Sequence, residues 1–107
     1  MIRNLWEETE ETLATCNKEW SDIKYVVLTS SEEIIPKDVY EEIARNTYYD
    51  NGFGSTEVYE SLMLIGDGFW FERAEYDGAE WFAYKEIPDI RNYTVDLDCD
   101  SLTRNKR

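Results

Sequence analysis

Asp96, Asp98 and Asp100 stand at alternate positions near the C-terminal end of the chain. On an extended strand such side chains share one face, with about 6.6–6.8 Å between successive positions. Successive phosphates of a nucleic-acid strand repeat on a similar scale. The ladder can therefore stand in for phosphates against a basic groove. A plainer use competes with it, because charged strands at a sheet edge also block aggregation. The same run opens like a calcium loop, D-x-D-x-D. An EF-hand then needs Gly at its sixth position and a bidentate Glu at its twelfth. Those positions hold Ser101 and Arg107, so no metal is expected here.

A second constellation precedes the ladder. Glu72, Glu75, Asp77, Glu80 and Glu86 are interleaved with Trp70, Phe71, Tyr76, Trp81, Phe82 and Tyr84. Aromatic rings beside charge are what protein–protein hot spots use. Rings also stack on bases, but acids this dense repel a phosphate chain. A protein partner is expected, with no direct nucleic-acid binding. Trp70 and Trp81 are themselves expected in the core. The partner-binding set is thus Glu72, Glu75, Asp77, Glu80, Asp96, Asp98 and Asp100.

What is missing narrows the chemistry. The chain has no histidine, which removes Ser-His-Asp and Cys-His nucleophile systems and His-ligated metals. Cys16 and Cys99 are too far apart in sequence to announce a zinc site, and spacing leaves their pairing open. Two free, largely buried thiols are expected. Gly52-Phe53-Gly54 and Gly66-Asp67-Gly68 lack the Lys and Ser/Thr of a phosphate cradle and read as turns. A paired-carboxylate hydrolase would want a cleft and a second lobe. No catalytic residue and no cofactor are expected.

Charge points the same way. Twenty-four acids against eleven bases give a net charge of −13 on 107 residues. A charge of ~2–8 is enough to keep a small domain soluble, and excess charge of one sign destabilises the compact state. A strongly basic partner surface would use that excess. The commonest such surfaces hold nucleic acid. Neither a secretory signal nor an apolar run of membrane-spanning length is present, so a cytoplasmic protein is expected.

The elements that must position these residues follow from periodicity. Ile2, Leu5, Trp6, Thr9, Leu13, Cys16 and Trp20 share one side of a helical wheel, and Asn4 with Glu7 suggests a capping box. Ile23 to Thr29 reads as a strand. Pro36 opens a second helix, with Val39, Tyr40, Ile43, Ala44 and Thr47 inward and Glu41 paired to Arg45. Asn46 to Ser55 reads as a turn region. Val58 to Ile65 reads as a strand. Phe69 to Tyr76 and Ala79 to Ile87 flank Asp77-Gly78, a two-residue hairpin signature, although a three-residue loop leaves the register open. Tyr93 to Asp100 alternates, with Tyr93, Val95, Leu97 and Cys99 inward and the aspartates outward. The fold class is α+β: two helices packed on a largely antiparallel sheet of four to five strands, in the order α-β-α-β-β-β-β. Residues 1–103 form a single compact domain and 104–107 a basic, frayed tail.

Leu64 to Pro88 (LIGDGFWFERAEYDGAEWFAYKEIP) resembles a stretch in small proteins of phages and prophages of Gram-positive bacteria. The pattern is an aromatic pair, E-R-x-E-Y-D-G, an acid, a tryptophan–aromatic pair and a closing proline. Phe69, Trp70, Glu72, Arg73, Glu75, Tyr76, Asp77, Gly78, Glu80, Trp81, Phe82 and Pro88 carry it. The resemblance implies a protein made in an infected bacterial cytoplasm. In size, charge and lack of an active site the chain is similar to anti-CRISPR proteins and restriction inhibitors. The leading expectation is an anti-defence inhibitor that mimics DNA and occupies a basic nucleic-acid-binding host protein such as a CRISPR nuclease. The alternative is a structural or regulatory phage protein that self-associates or docks through its aromatic hairpin.

Overall fold

Asn4 joins two helices. In the computed structural model, which describes residues 2–50 and 56–103, β1 (Ile2–Asn4) runs directly into α1 (Leu5–Thr15). The Asn4 side chain accepts from Glu7 N at 3.0 Å and donates to Arg45 O at 3.0 Å. It therefore caps the start of α1 and the end of α2 (Lys37–Arg45) together, satisfying backbone groups that a helix terminus leaves open. Leu5, Trp6, Thr9 and Leu13 of α1 are buried, as the wheel predicts. Ile2 is instead exposed on β1, and Trp20 lies in a 3-10 turn (Trp20–Asp22). There it stacks on Tyr40, with ring centroids 5.7 Å apart.

The remaining strands are β2 (Ile23–Leu28), β3 (Glu33–Ile35), β4 (Tyr48–Asp50), β5 (Leu62–Gly66), β6 (Phe69–Tyr76) and β7 (Ala79–Glu86). Five of them form an antiparallel sheet in the order β3-β2-β5-β6-β7, and β1 pairs with β4 in a separate two-stranded ribbon. The domain is α+β, with both helices on one face of the larger sheet. Ile23, Val26, Leu62, Leu64, Phe69, Phe71 and Phe82 point to that face and meet Leu5, Trp6, Leu13, Tyr40 and Ala44 from the helices. Asp77 and Gly78 sit at φ 52° and 87°, the positive values a two-residue hairpin turn requires. Tyr76 pairs with Ala79, which fixes the register through to Phe69 opposite Glu86.

Four expectations need correction. The turn-rich stretch 46–55 contains β4, because Tyr48 and Tyr49 find a partner in Arg3 and Asn4; residues 51–55 lie outside the described residues. Only Tyr40 and Ala44 of α2 are buried, while Val39 and Ile43 are exposed. Strand β5 begins at Leu62 rather than Val58. The largest difference is at 93–100, where no strand forms. Tyr93, Val95 and Leu97 are 69%, 80% and 90% exposed, and Cys99 is exposed as well. Alternation supplies two faces but not the neighbouring strand a ladder needs. Local bonds take the backbone instead: Asp98 N donates to Asp96 Oδ1 at 3.0 Å, and Tyr93 N to Ile90 O at 2.9 Å. Short polar side chains compete with sheet pairing in this way. Every residue from 88 to 100 is exposed.

Candidate functional site

The sheet has a second face, and among the described residues no helix packs on it. Cross-strand pairing defines its rows. Ile34, Val27, Met63, Glu72 and Ala83 form one row, and Tyr25, Ile65, Trp70 and Lys85 the next. Trp81 lies opposite Ala74 and completes it toward the hairpin tip. Tyr25 is 54% exposed, Ile34 68% and Trp81 41%. In a chain of net charge −13, these rows carry one acid and one base. Trp70 Nε1 donates to Glu72 Oε1 at 2.8 Å, which ties that indole to the acid. An apolar patch of this kind, rimmed by charge, is the usual mark of an interaction surface.

Trp70 and Trp81 therefore belong to the open face, not to the core. The core rings of the hairpin are Phe69, Phe71 and Phe82, with Tyr84 packed against them. Strand parity decides this, since side chains one residue apart point to opposite faces. Sequence reading missed Tyr25, Val27, Ile34, Met63 and Ile65. Their signal was present: β2 and β5 are apolar at successive positions, and an antiparallel strand with a solvated face would alternate.

The seven candidate acids fall into four groups. Glu75 and Asp77 are exposed at the tip of the hairpin, and Glu72 is half-buried on the open face. Asp96, Asp98 and Asp100 are exposed on the irregular C-terminal segment, so they form no strand ladder. Glu80 is the correction among them. It is 3% exposed and faces the helices, where it cannot touch a partner.

Glu80 belongs to a buried ion cluster. Arg73 Nη1 donates to Glu8 Oε2 at 3.1 Å, and Arg73 Nη2 donates to Glu80 Oε1 at 2.9 Å. Arg73 Nη2 also lies 3.1 Å from the Tyr49 hydroxyl, which in turn donates to Glu8 Oε1. The guanidinium rests over the Phe82 ring, 4.5 Å from its centroid. Glu80 further accepts Glu57 N at 2.7 Å and Val58 N at 3.1 Å, tying the approach to β5 onto the hairpin. Burial works against the Arg73 charge, but Glu8, Tyr49 and Glu80 outweigh it and hold its pKa above the usual value. Burial and the bond to Glu8 push the Tyr49 hydroxyl up to about 12. Every hydrogen-bonding atom of this group except Arg73 Nε has a partner among the described residues. Each carboxylate is bonded and the guanidinium lies against the Tyr49 and Phe82 rings, so the cluster locks α1, β4 and the hairpin together.

A cleft of 450 Å³ opens between α2, β4 and the sheet, lined by apolar groups such as Leu28, Ile35, Tyr40 and Val58. Glu57 is its one charged lining residue and is engaged by Asp50 N. Among the described residues, no cluster of three or more Asp, Glu or Cys is placed to hold a metal ion. No helix among them is long and apolar enough to cross a membrane. Comparison of the chain with protein-family models, with curated proteins and with solved structures found no match in any of the three.

Proposed function

We propose that this chain is a non-enzymatic binding protein that docks its open sheet face on the basic, nucleic-acid-binding surface of a bacterial defence effector and so blocks it, as anti-CRISPR inhibitors do. The observation that carries the proposal is the contrast between a charge-poor aromatic sheet face and the acidic surface around it. Every acid except Glu8 and Glu80 is at least partly exposed. Those exposed acids steer the protein toward a basic partner and raise the association rate. The apolar face then supplies affinity through buried area, and indole rings are the side chains that hot spots favour. Glu72 beside Trp70 and Asp77 at the hairpin tip meet the lysines and arginines at the rim, and Glu75, on the helix side of the tip, adds to the steering charge. The resemblance of 64–88 to phage proteins supports a bacterial, cytoplasmic setting.

Self-association through the same face is the second reading. It is favoured by apolar exposure across the whole face, from Ile34 on β3 and Tyr25 on β2 to Trp81 on β7 at the opposite edge, which a soluble monomer must tolerate.

The test is capture from a bacterial lysate at low salt, followed by DNA-binding assays on the captured protein. Recovery of a basic nucleic-acid-binding protein, released by salt and deprived of DNA binding by this chain, is expected. Trp81→Ala, checked for folding by circular dichroism, should weaken inhibition by about 30-fold, the scale of a hot-spot residue. Undiminished inhibition by Trp81→Ala would overturn the docking face. A protein that captures nothing but itself would move the conclusion to the second reading.

A further inference from the structure

The outer edge of β7 and the C-terminal segment complement each other. Among the described residues β7 pairs with β6 alone, so the backbone groups on its other side are open to a further strand. A groove of 330 Å³ lies between that edge and α1. Thr12, Thr15 and Cys16 line it from the helix, and Phe82 and Tyr84 from the strand. A strand entering here must send every second side chain into the groove.

Residues 93–99 carry such a set. Tyr93, Val95 and Leu97 are apolar, two apart and largely exposed. Electrostatics selects their orientation. Arg3, Glu8, Glu11 and Glu80 also border the groove; Arg3 pairs with Glu11, and Arg73 with Glu8 and Glu80, so three acids against two arginines leave the lining net negative and disfavour Asp96 and Asp98 facing it. With the apolar side chains turned inward, the aspartates emerge on the opposite face, on the side of Lys85.

The chain is not set up to cover its own edge. After Pro88, Asp89 clamps Arg91 at 2.7 Å and Tyr93 N bonds Ile90 O at 2.9 Å. This turn leads 88–100 away from the body, exposed throughout. A second copy meets no such constraint. Reciprocal exchange pairs both edges at once under a two-fold axis, the commonest symmetry of soluble oligomers. Strand addition of this kind takes affinity from main-chain bonds and register from alternate side chains.

We infer that residues 93–99 add as a strand to the β7 edge of a second copy, with Tyr93, Val95 and Leu97 in its α1–β7 groove, giving a strand-exchanged dimer. This surface adjoins the open sheet face at Trp81, which lines the groove as well, and is otherwise built from different residues.

Light scattering of the whole chain across a concentration series tests it, together with hydrogen exchange. The expected result is a rise to twice the monomer mass with slowed exchange at 93–99 and β7. Val95→Asp with Leu97→Asp should restore the monomer; both positions are exposed in the single copy, so the fold is retained. Leu102→Asp, 93% exposed but outside the segment, should leave the dimer intact. Monomer mass at every concentration would overturn the inference, even with 93–99 protected, since that would mean a strand folded onto its own edge. A dimer that survives the Val95/Leu97 double variant but is lost in Ile34→Asp, 68% exposed on β3 at the far edge of the open face, would also overturn it and assign association to the sheet face.

Discussion

Arg73 is the one base facing the core side of β6, and two buried carboxylates depend on it. Removing one partner of a buried ion pair leaves a charge uncompensated, at a cost of ~3–5 kcal/mol. Arg73→Ala should therefore lower the stability measured by urea unfolding by that amount, far more than any surface acid neutralised alone. The signal for Arg73 and Glu80 was present in strand parity: Arg73 shares it with Phe69 and Phe71, and Glu80 with Phe82. Residue type masked it, because charged side chains on strands read as outward. The cluster also sets a pH limit. A tyrosine in the unfolded chain ionises near pH 10, whereas folded Tyr49 holds its proton to about 12. Its contribution to stability is complete below pH 10 and is lost as pH rises through 12. Tyr40, raised by burial, adds in the same direction. Tyr49→Phe should flatten the alkaline loss of stability between pH 10 and 12, measured by denaturant midpoints across that range.

At the scale of elements, the hairpin was the most legible part because its signal is local. Asp77-Gly78 specifies positive φ at two adjacent positions, and the strands on either side are long enough to propagate the register. Gly78→Ala places a side chain in the left-handed region, which costs ~1–2 kcal/mol, and should shift the unfolding midpoint accordingly. Gly66 is a different case. A Cβ there would run into the Phe69 ring and come within 2.9 Å of Asp22 O, where β5 passes the 3-10 turn, so Gly66→Ala should destabilise through packing rather than through backbone angle. Helix α1 was legible from its wheel and its Asn4 cap. The segment 93–100 was not, since its alternation is as regular as that of any strand in the fold. Pairing is a property of two segments, and no pattern in one of them names the other. Strand β4 shows the converse: turn-forming neighbours hid it, and β1 supplied its partner.

For the whole molecule, the sheet is two-sided in a way that charge alone did not reveal. The acidic composition pointed to an acidic face, whereas the surface best shaped for docking is the face where acids are fewest. In the proposed complex, net charge governs encounter and the rings govern residence. Raising salt from low to physiological levels should slow association with a basic partner while changing dissociation little, measurable by surface plasmon resonance, because rim charges act mainly on the association rate. Asp96→Asn, Asp98→Asn and Asp100→Asn combined should reduce the association rate modestly and leave the complex lifetime unchanged. The most direct measurement is inhibition of the captured effector by two variants side by side: Trp81→Ala, and Glu75→Gln with Asp77→Asn. The account predicts that the tryptophan variant loses about 30-fold in potency through faster dissociation, and that the acid variant loses a few-fold through slower association. Equal loss in both, or full potency of the tryptophan variant, would contradict docking through the open sheet face.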